Sequence, residues 1–398
     1  MAAERQGEHD ASMAGAARTA GWSAVFALTL CVATLIASEF MPVSLLTPIA
    51  TDLHISQGRV GQAIAVSGVF AVVASLCIST VTRGIDRRVV LLSLTVLMML
   101  SGLMVTFAPN APVFMVGRAL LGIVIGGFWS MSAATVMRLV PAEDVPRALG
   151  VLNGGNALAT TIAAPVGSFL GQYIGWRGAF FAVVPLALAT LLWLLRTLPS
   201  MPAAPVARGG TVFRVLRRRH VPAGMLAVTL LFLGQFALYT YLRPFLETVA
   251  HVSVSTLSLV LLIMGGAGVL GTYLIGHLVR AHLRFLLIAL PLVMAVIAVA
   301  LAVVGSALIP LVVLLAVWGL ISTAAPVAWW SWLSVELPDD AEAGGGLMVA
   351  VIQLAIAIGA MVGGFVYDAS GHAATFGVAA AALAGSALVA ARRQHESA

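Results

Sequence analysis

From Trp22 to Ala50 the sequence is almost continuously apolar. That is longer than an ordinary soluble core helix, and long enough to cross a hydrocarbon layer of about 30 Å. Glu39 lies inside it, in the stretch Leu35-Ile36-Ala37-Ser38-Glu39-Phe40-Met41-Pro42. A spanning segment must satisfy its own backbone, so it is a helix, and a carboxylate within it is costly unless it faces a cavity or a partner. Such acids mark ion or substrate paths, which makes Glu39 a candidate proton carrier. The plainer alternative is a permanently neutral or arginine-paired group that ties two helices together.

This segment is the first of twelve. Apolar runs fall at about 22–50, 57–81, 89–108, 111–138, 146–170, 176–197, 222–246, 255–279, 285–305, 307–334, 343–367 and 373–391. Each is near the roughly 20 residues that a crossing needs. The chain is 61% hydrophobic and 9% charged with mean hydropathy +1.06, against about 45–50% apolar and 25% charged in soluble domains. The runs lack the alternation of a membrane barrel. The fold class expected is an all-α membrane protein with twelve transmembrane helices.

A net charge of +6 and a pI near 10.1 would suit a nucleic-acid binder, but all 21 basic residues are Arg and most lie in short segments between the apolar runs. Arg59, Arg118, Arg177 and Arg243 apart, the other 17 share one side with both termini. Basic loops stay in the cytoplasm, so both termini are expected there, and nucleic acid is not an expected partner. The expected organisation is a disordered cytoplasmic tail (1–21), an N-terminal six-helix bundle (22–197), a cytoplasmic linker (198–221), a C-terminal six-helix bundle (222–391) and a short cytoplasmic tail (392–398). The linker carries Pro199, Pro202, Pro205, Gly209, Gly210 and Arg217-Arg218-Arg219. Cys31 and Cys77 sit within spans and read as packing residues. The eight His are scattered, with no helical metal-binding pair, and no loop is large enough for a separate catalytic unit. An enzyme is therefore not expected, nor a bound metal or cofactor.

Adding 196 to positions in the first half carries Glu39-Phe40 onto Gln235-Phe236, Pro48 onto Pro244, Gly167 onto Gly363 and Phe169 onto Phe365. One offset across two helix pairs is what parallel repeats produce. Symmetry breaks at Glu39, whose counterpart Gln235 is a neutral amide, suited either to an interhelical hydrogen bond or to a substrate contact.

Three motifs stand between or within the spans. Thr82-Arg83-Gly84-Ile85-Asp86-Arg87-Arg88 joins spans two and three, Arg118 precedes Gly122 and Gly126 at four-residue spacing, and Ala164-Pro165-Val166-Gly167-Ser168-Phe169-Leu170-Gly171 lies in span five. Residues four apart share a helix face, so Gly122 and Gly126 permit close approach of another backbone along the stripe that bears Arg118. These motifs resemble signatures of the major facilitator superfamily. The resemblance implies two six-helix bundles around a central cavity. It also implies a latch at Asp86 and Arg87, hinge points at Pro165 and Gly167, and a proton-coupling role for Arg118 with Glu39 as an available counter-ion.

Longer stretches sharpen this. Trp22-Ser-Ala-Val-Phe26, Glu39-Phe-Met-Pro-Val-Ser-Leu-Leu-Thr-Pro48, Gly127-Phe-Trp-Ser-Met-Ser132, Gly175-Trp-Arg177 and Tyr241-Leu-Arg-Pro244 are similar to those of purine ribonucleoside exporters in the twelve-span drug:proton antiporter branch. The likeness implies export of inosine- or guanosine-like nucleosides across the bacterial inner membrane, by a monomer, in exchange for protons. Sugars or drugs are the alternative cargo of the same fold. A nucleoside needs aromatic faces and amide partners, which Phe128, Trp129, Asn153, Asn156, Gln235, Tyr239, Trp330 and Gln353 could supply. Trp and Tyr also belong to interfacial belts.

Overall fold

The computed structural model describes residues 2–82, 84–202, 215–218, 220–304, 307–337 and 341–396. Most of the expected linker (203–214 and 219) and Arg83 lie outside the described residues. The described chain is almost wholly helical, with no strand among the described residues. Its helices are α1 (Ala2–Asp52), α2 (Gln57–Val81), α3 (Arg87–Thr106), α4 (Ala111–Leu139), α5 (Val145–Phe181) and α6 (Val183–Thr197), followed by α7 (Val221–Tyr239), α8 (Leu242–Thr248), α9 (Val254–Val304), α10 (Leu308–Glu336) and α11 (Ala341–Glu396). Helix α1 begins at Ala2, within the expected N-terminal tail (1–21).

Among the described residues, ten helical stretches are long and apolar enough to span a membrane. Two of them, 142–197 and 344–392, run to 56 and 49 residues, about twice one crossing. Each contains a glycine at positive φ, Gly175 at 71° and Gly371 at 78°, a conformation that glycine adopts without steric cost. Divided there, the ten become the expected twelve crossings. The two glycines are themselves 196 residues apart, so the repeat extends to the sharp turns that follow the fifth and eleventh crossings.

In the first half of the chain, α1 packs on α5 and α6, α2 on α4, and α3 on α4 and α6; in the second, α7 packs on α11 and α9 on α10. The halves meet chiefly through α2 with α11 and α5 with α9. Small residues set these distances. A Cβ on Gly122 would lie 2.3 Å from the Ser67 carbonyl oxygen, and one on Gly126 2.0 Å from that of Ala71. The expected glycine stripe of α4 is therefore seated on the α2 backbone, and Arg118 at its head reaches α2 as well. Gly167 faces the Ser44 side chain of α1 at 2.6 Å from its would-be Cβ, and Pro165 and Gly167 are both buried where α5 lies on α1.

Helix α1 retains Pro42 and Pro48. A proline has no N–H, so the carbonyls four residues earlier, Ser38 and Ser44, lose their intrahelical partners. In a membrane such groups must be satisfied by neighbours, and both partners are arginines, as described next.

Candidate functional site

Glu39 is 4% exposed, near the middle of the first crossing. Its Oε1 accepts a hydrogen bond from Gln353 Nε2 at 3.2 Å, across 314 residues of sequence. Next to it, Phe40 stacks on Phe236 of α7 with ring centroids 5.7 Å apart. These two aromatics are counterparts under the 196-residue offset, so the repeat brings equivalent positions face to face where the halves meet.

Arg118 is only 1% exposed. It reaches neither headgroups nor the Glu39 carboxylate. Its NH1 donates to the Ser38 carbonyl at 2.7 Å, its NH2 to the Glu39 carbonyl at 3.0 Å and to Ser67 Oγ at 2.9 Å, and its Nε to the Ala63 carbonyl at 3.4 Å. The two charges still attract each other through space, as the expected counter-ion relation requires, but without a direct side-chain bond. The guanidinium fork bridges the main chains of α1 and α2, filling the acceptor that Pro42 leaves empty, and the carboxylate bonds to an amide of the other half. Ser38 and Arg118 also line a cavity of about 10 Å³ with Ser101, Gly102, Val105, Leu121, Phe180 and Val183.

Arg243 repeats this chemistry. It is 6% exposed, donates to the Ser44 carbonyl freed by Pro48, and pairs through Nε with Glu247 at 2.8 Å. The Ser44 bond crosses from one half to the other. So do Tyr241 hydroxyl to Gly58 carbonyl (3.5 Å), Ser258 to Ser168 (2.9 Å), and Ser56 and the Gly58 amide to Asp368. These contacts lie at the end of the bundle where α1 terminates and α2 begins, away from Trp22 and Arg147, whose cation–π contact spans 5.3 Å at the opposite end. Toward that opposite end Asn153 and Trp330 are exposed, Trp330 to 40%.

The remaining candidates scatter. Phe128 is buried in the apolar core of the first half, so it packs, while Trp129 and Asn156 are half-buried. Asn153 Nδ2 donates to the Leu149 carbonyl of its own helix at 2.9 Å. Tyr239 is half-buried, with its ring edge-on to Phe236 at 5.9 Å. Gln235 carries a buried Oε1 with no hydrogen-bond partner, an acceptor left open at the position matching Glu39.

Asp86, the expected latch residue, stands at the start of α3. It caps α3, accepting from the Arg88 amide at 2.8 Å, and its carboxylate takes the Ser200 hydroxyl and the Met201 amide, while the Arg87 amide donates to the Met201 carbonyl at 3.1 Å. It thereby fastens the segment leaving α6 to the start of α3. The Ser200 and Met201 donors, with a lesser share from Arg88, hold its carboxyl below the ordinary carboxylate range. A carboxyl lowered on folding contributes stability above its unfolded value and loses it as pH falls through the folded one. Asp86→Asn should therefore melt below the wild type at pH 7, the two thermal midpoints converging below about pH 4.

The pairings of Glu39, Arg118 and Arg243 were not legible in advance. Among the described residues no group of His, Cys, Asp and Glu is arranged to hold a metal.

With this geometry in view, the chain was compared with known proteins. The family model described as Major Facilitator Superfamily matches residues 26–345. The "Transcription regulatory protein OpdE" of Pseudomonas aeruginosa is 55% identical over 370 residues, 92% of each chain. The "Purine ribonucleoside efflux pump NepI" of Escherichia coli K12 is 44% identical over 347 residues, 87% of this chain and 88% of the pump. Among solved structures, a D-xylose-proton symporter superposes with TM-score 0.74 at 18% identity, covering 93% of this chain and 97% of that one. A bacterial Spinster homologue in an inward-facing, unoccupied conformation gives 0.72 at 14%, covering 94% and 95%.

Proposed function

This chain belongs to the Major Facilitator Superfamily, and we propose that it exports purine ribonucleosides from the cytoplasm in exchange for protons, by alternating access across the bacterial inner membrane with both termini cytoplasmic. The observation that carries the proposal is the buried Glu39–Gln353 bond between the halves of the chain. Rocking one half against the other makes or breaks that bond, so the protonation of Glu39 and the direction of opening are coupled. With the halves clasped at the end away from Trp22, and with Asn153 and Trp330 exposed toward the other, we read the state as inward-facing. Glu39 then gives up its proton to the cytoplasm as nucleoside binds, and takes another from outside after the halves rock.

Substrate contacts come from the half-buried Trp129, Asn156 and Tyr239, from Asn153 and Trp330 toward the open end, and from the unpaired Gln235 Oε1. An acceptor buried without a donor costs about 1–3 kcal/mol, which a ligand N–H would relieve. No cofactor takes part, since the proton gradient supplies the energy; the working unit is a monomer.

Cells expressing the protein and loaded with radiolabelled inosine should release it, and a protonophore should abolish that release. Release that ignores the protonophore would refute proton coupling. No inosine release would overturn the nucleoside assignment and turn attention to sugars or drugs as cargo. The name of the Pseudomonas relative favours a second reading, a membrane component in transcriptional control, and the same absence of transport would favour it.

A further inference from the structure

Asp368 lies near the end of the eleventh crossing, three residues before the turn at Gly371. Its carboxylate reaches across to the N-terminal end of α2. Oδ2 accepts from the Ser56 hydroxyl at 2.5 Å and Oδ1 from the Gly58 amide at 2.9 Å. Ser56 Oγ in turn accepts from the Arg59 amide at 3.1 Å. First-turn amides have no intrahelical acceptor, and a negative charge is stabilised at that end of a helix. The α2 terminus of one half is thus capped by a carboxylate from the other.

The repeat supplies an internal comparison. Subtracting 196 from Asp368 gives Gln172, whose Oε1 accepts from Ser255, at the start of α9, at 3.4 Å. Both halves therefore extend the same position toward the beginning of a helix in the other half. One arm is charged and makes two short bonds; the other is neutral and makes one long bond. Backbone packing is tight beside the charged arm. A Cβ on Gly58 would lie 2.3 Å from Asp368 Oδ2 and 2.5 Å from the Gly364 carbonyl oxygen. The Tyr241 hydroxyl lies against the same seam, 3.5 Å from the Gly58 carbonyl oxygen, and makes its short bond, 2.7 Å, to the Ala360 carbonyl of its own half.

We propose that Asp368 is the charged clasp of the outer gate, holding α2 against α11 in the inward-facing state, with Gln172 its weaker counterpart. The inference rests on the alternating-access reading above. Opening the outer face must break the Asp368 bonds, so the negative charge at this position sets how often that face opens.

Ser168 is fully buried and its hydroxyl meets Ser258 of the other half at 2.9 Å, so it is covered by the closed outer face. A Ser168→Cys reporter in a Cys31→Ser, Cys77→Ser background, reconstituted in nanodiscs, would report outer opening through its rate of reaction with a bulky charged maleimide. Asp368→Asn exchanges charged for neutral hydrogen bonds, a difference of about 1 kcal/mol, so labelling should accelerate roughly fivefold. Gln172→Leu should change it less than twofold on the same reasoning. Gly58→Ala, which wedges the seam and leaves the charge in place, should also accelerate labelling. Unchanged labelling in both Asp368→Asn and Gly58→Ala, or a larger effect from Gln172→Leu, would overturn the clasp. Labelling needs no substrate, so a failed clasp with intact inosine export, and a working clasp without export, are told apart.

Discussion

Glu39→Gln is expected to abolish gradient-driven export. Glutamine keeps a side-chain oxygen where Glu39 Oε1 accepts from Gln353, so the contact between the halves survives while the titrating group is gone. Inverted vesicles carrying the variant and energised by a proton gradient should accumulate no more inosine than empty vesicles. Exchange of labelled for unlabelled inosine, which needs no net proton movement, should persist. Accumulation at the wild-type rate would show that Glu39 is not the carrier. Loss of exchange as well as accumulation would show that the carboxylate is needed for binding or rocking, beyond proton carriage.

Arg118→Ala should produce the largest loss of stability. It removes the donors to the Ser38, Glu39 and Ala63 carbonyls and to Ser67 Oγ at once. The Ser38 carbonyl has no substitute, because Pro42 offers no N–H. Exposing such acceptors in a dry interior costs about 3–5 kcal/mol in total, measured as a fall in the thermal midpoint of the purified protein. Arg118→Lys separates two accounts of the residue. A counter-ion role needs only a charge, which lysine supplies. Bridging two helices needs a planar fork with several donors, which lysine lacks. The structure favours bridging, so Arg118→Lys should recover only a minor part of the lost stability. Full recovery would restore the counter-ion account.

The spans were legible because hydropathy belongs to each residue and a crossing is a local run of about 20 of them. The repeat was legible for the same reason, and the structure extended it to the Phe40–Phe236 stack and the glycine turns at 175 and 371. The glycine stripe of α4 was readable from helical periodicity, although its seat on α2 was not. What escaped was partner choice. Arg118, the expected counter-ion of Glu39, aims its fork at main-chain oxygens and Ser67. Asp86, expected as a latch, takes its donors from the residues that follow α6.

Taken by itself, the sequence determined the all-helical membrane class and the internal repeat. Only the tertiary structure decided that Gln353 meets Glu39, that Arg118 and Arg243 fill the carbonyls freed by Pro42 and Pro48, and that Asp368 caps α2. Hydropathy and helical period act over a few turns of one segment, whereas each of those pairings joins residues between 80 and 314 positions apart and depends on how separate helices pack.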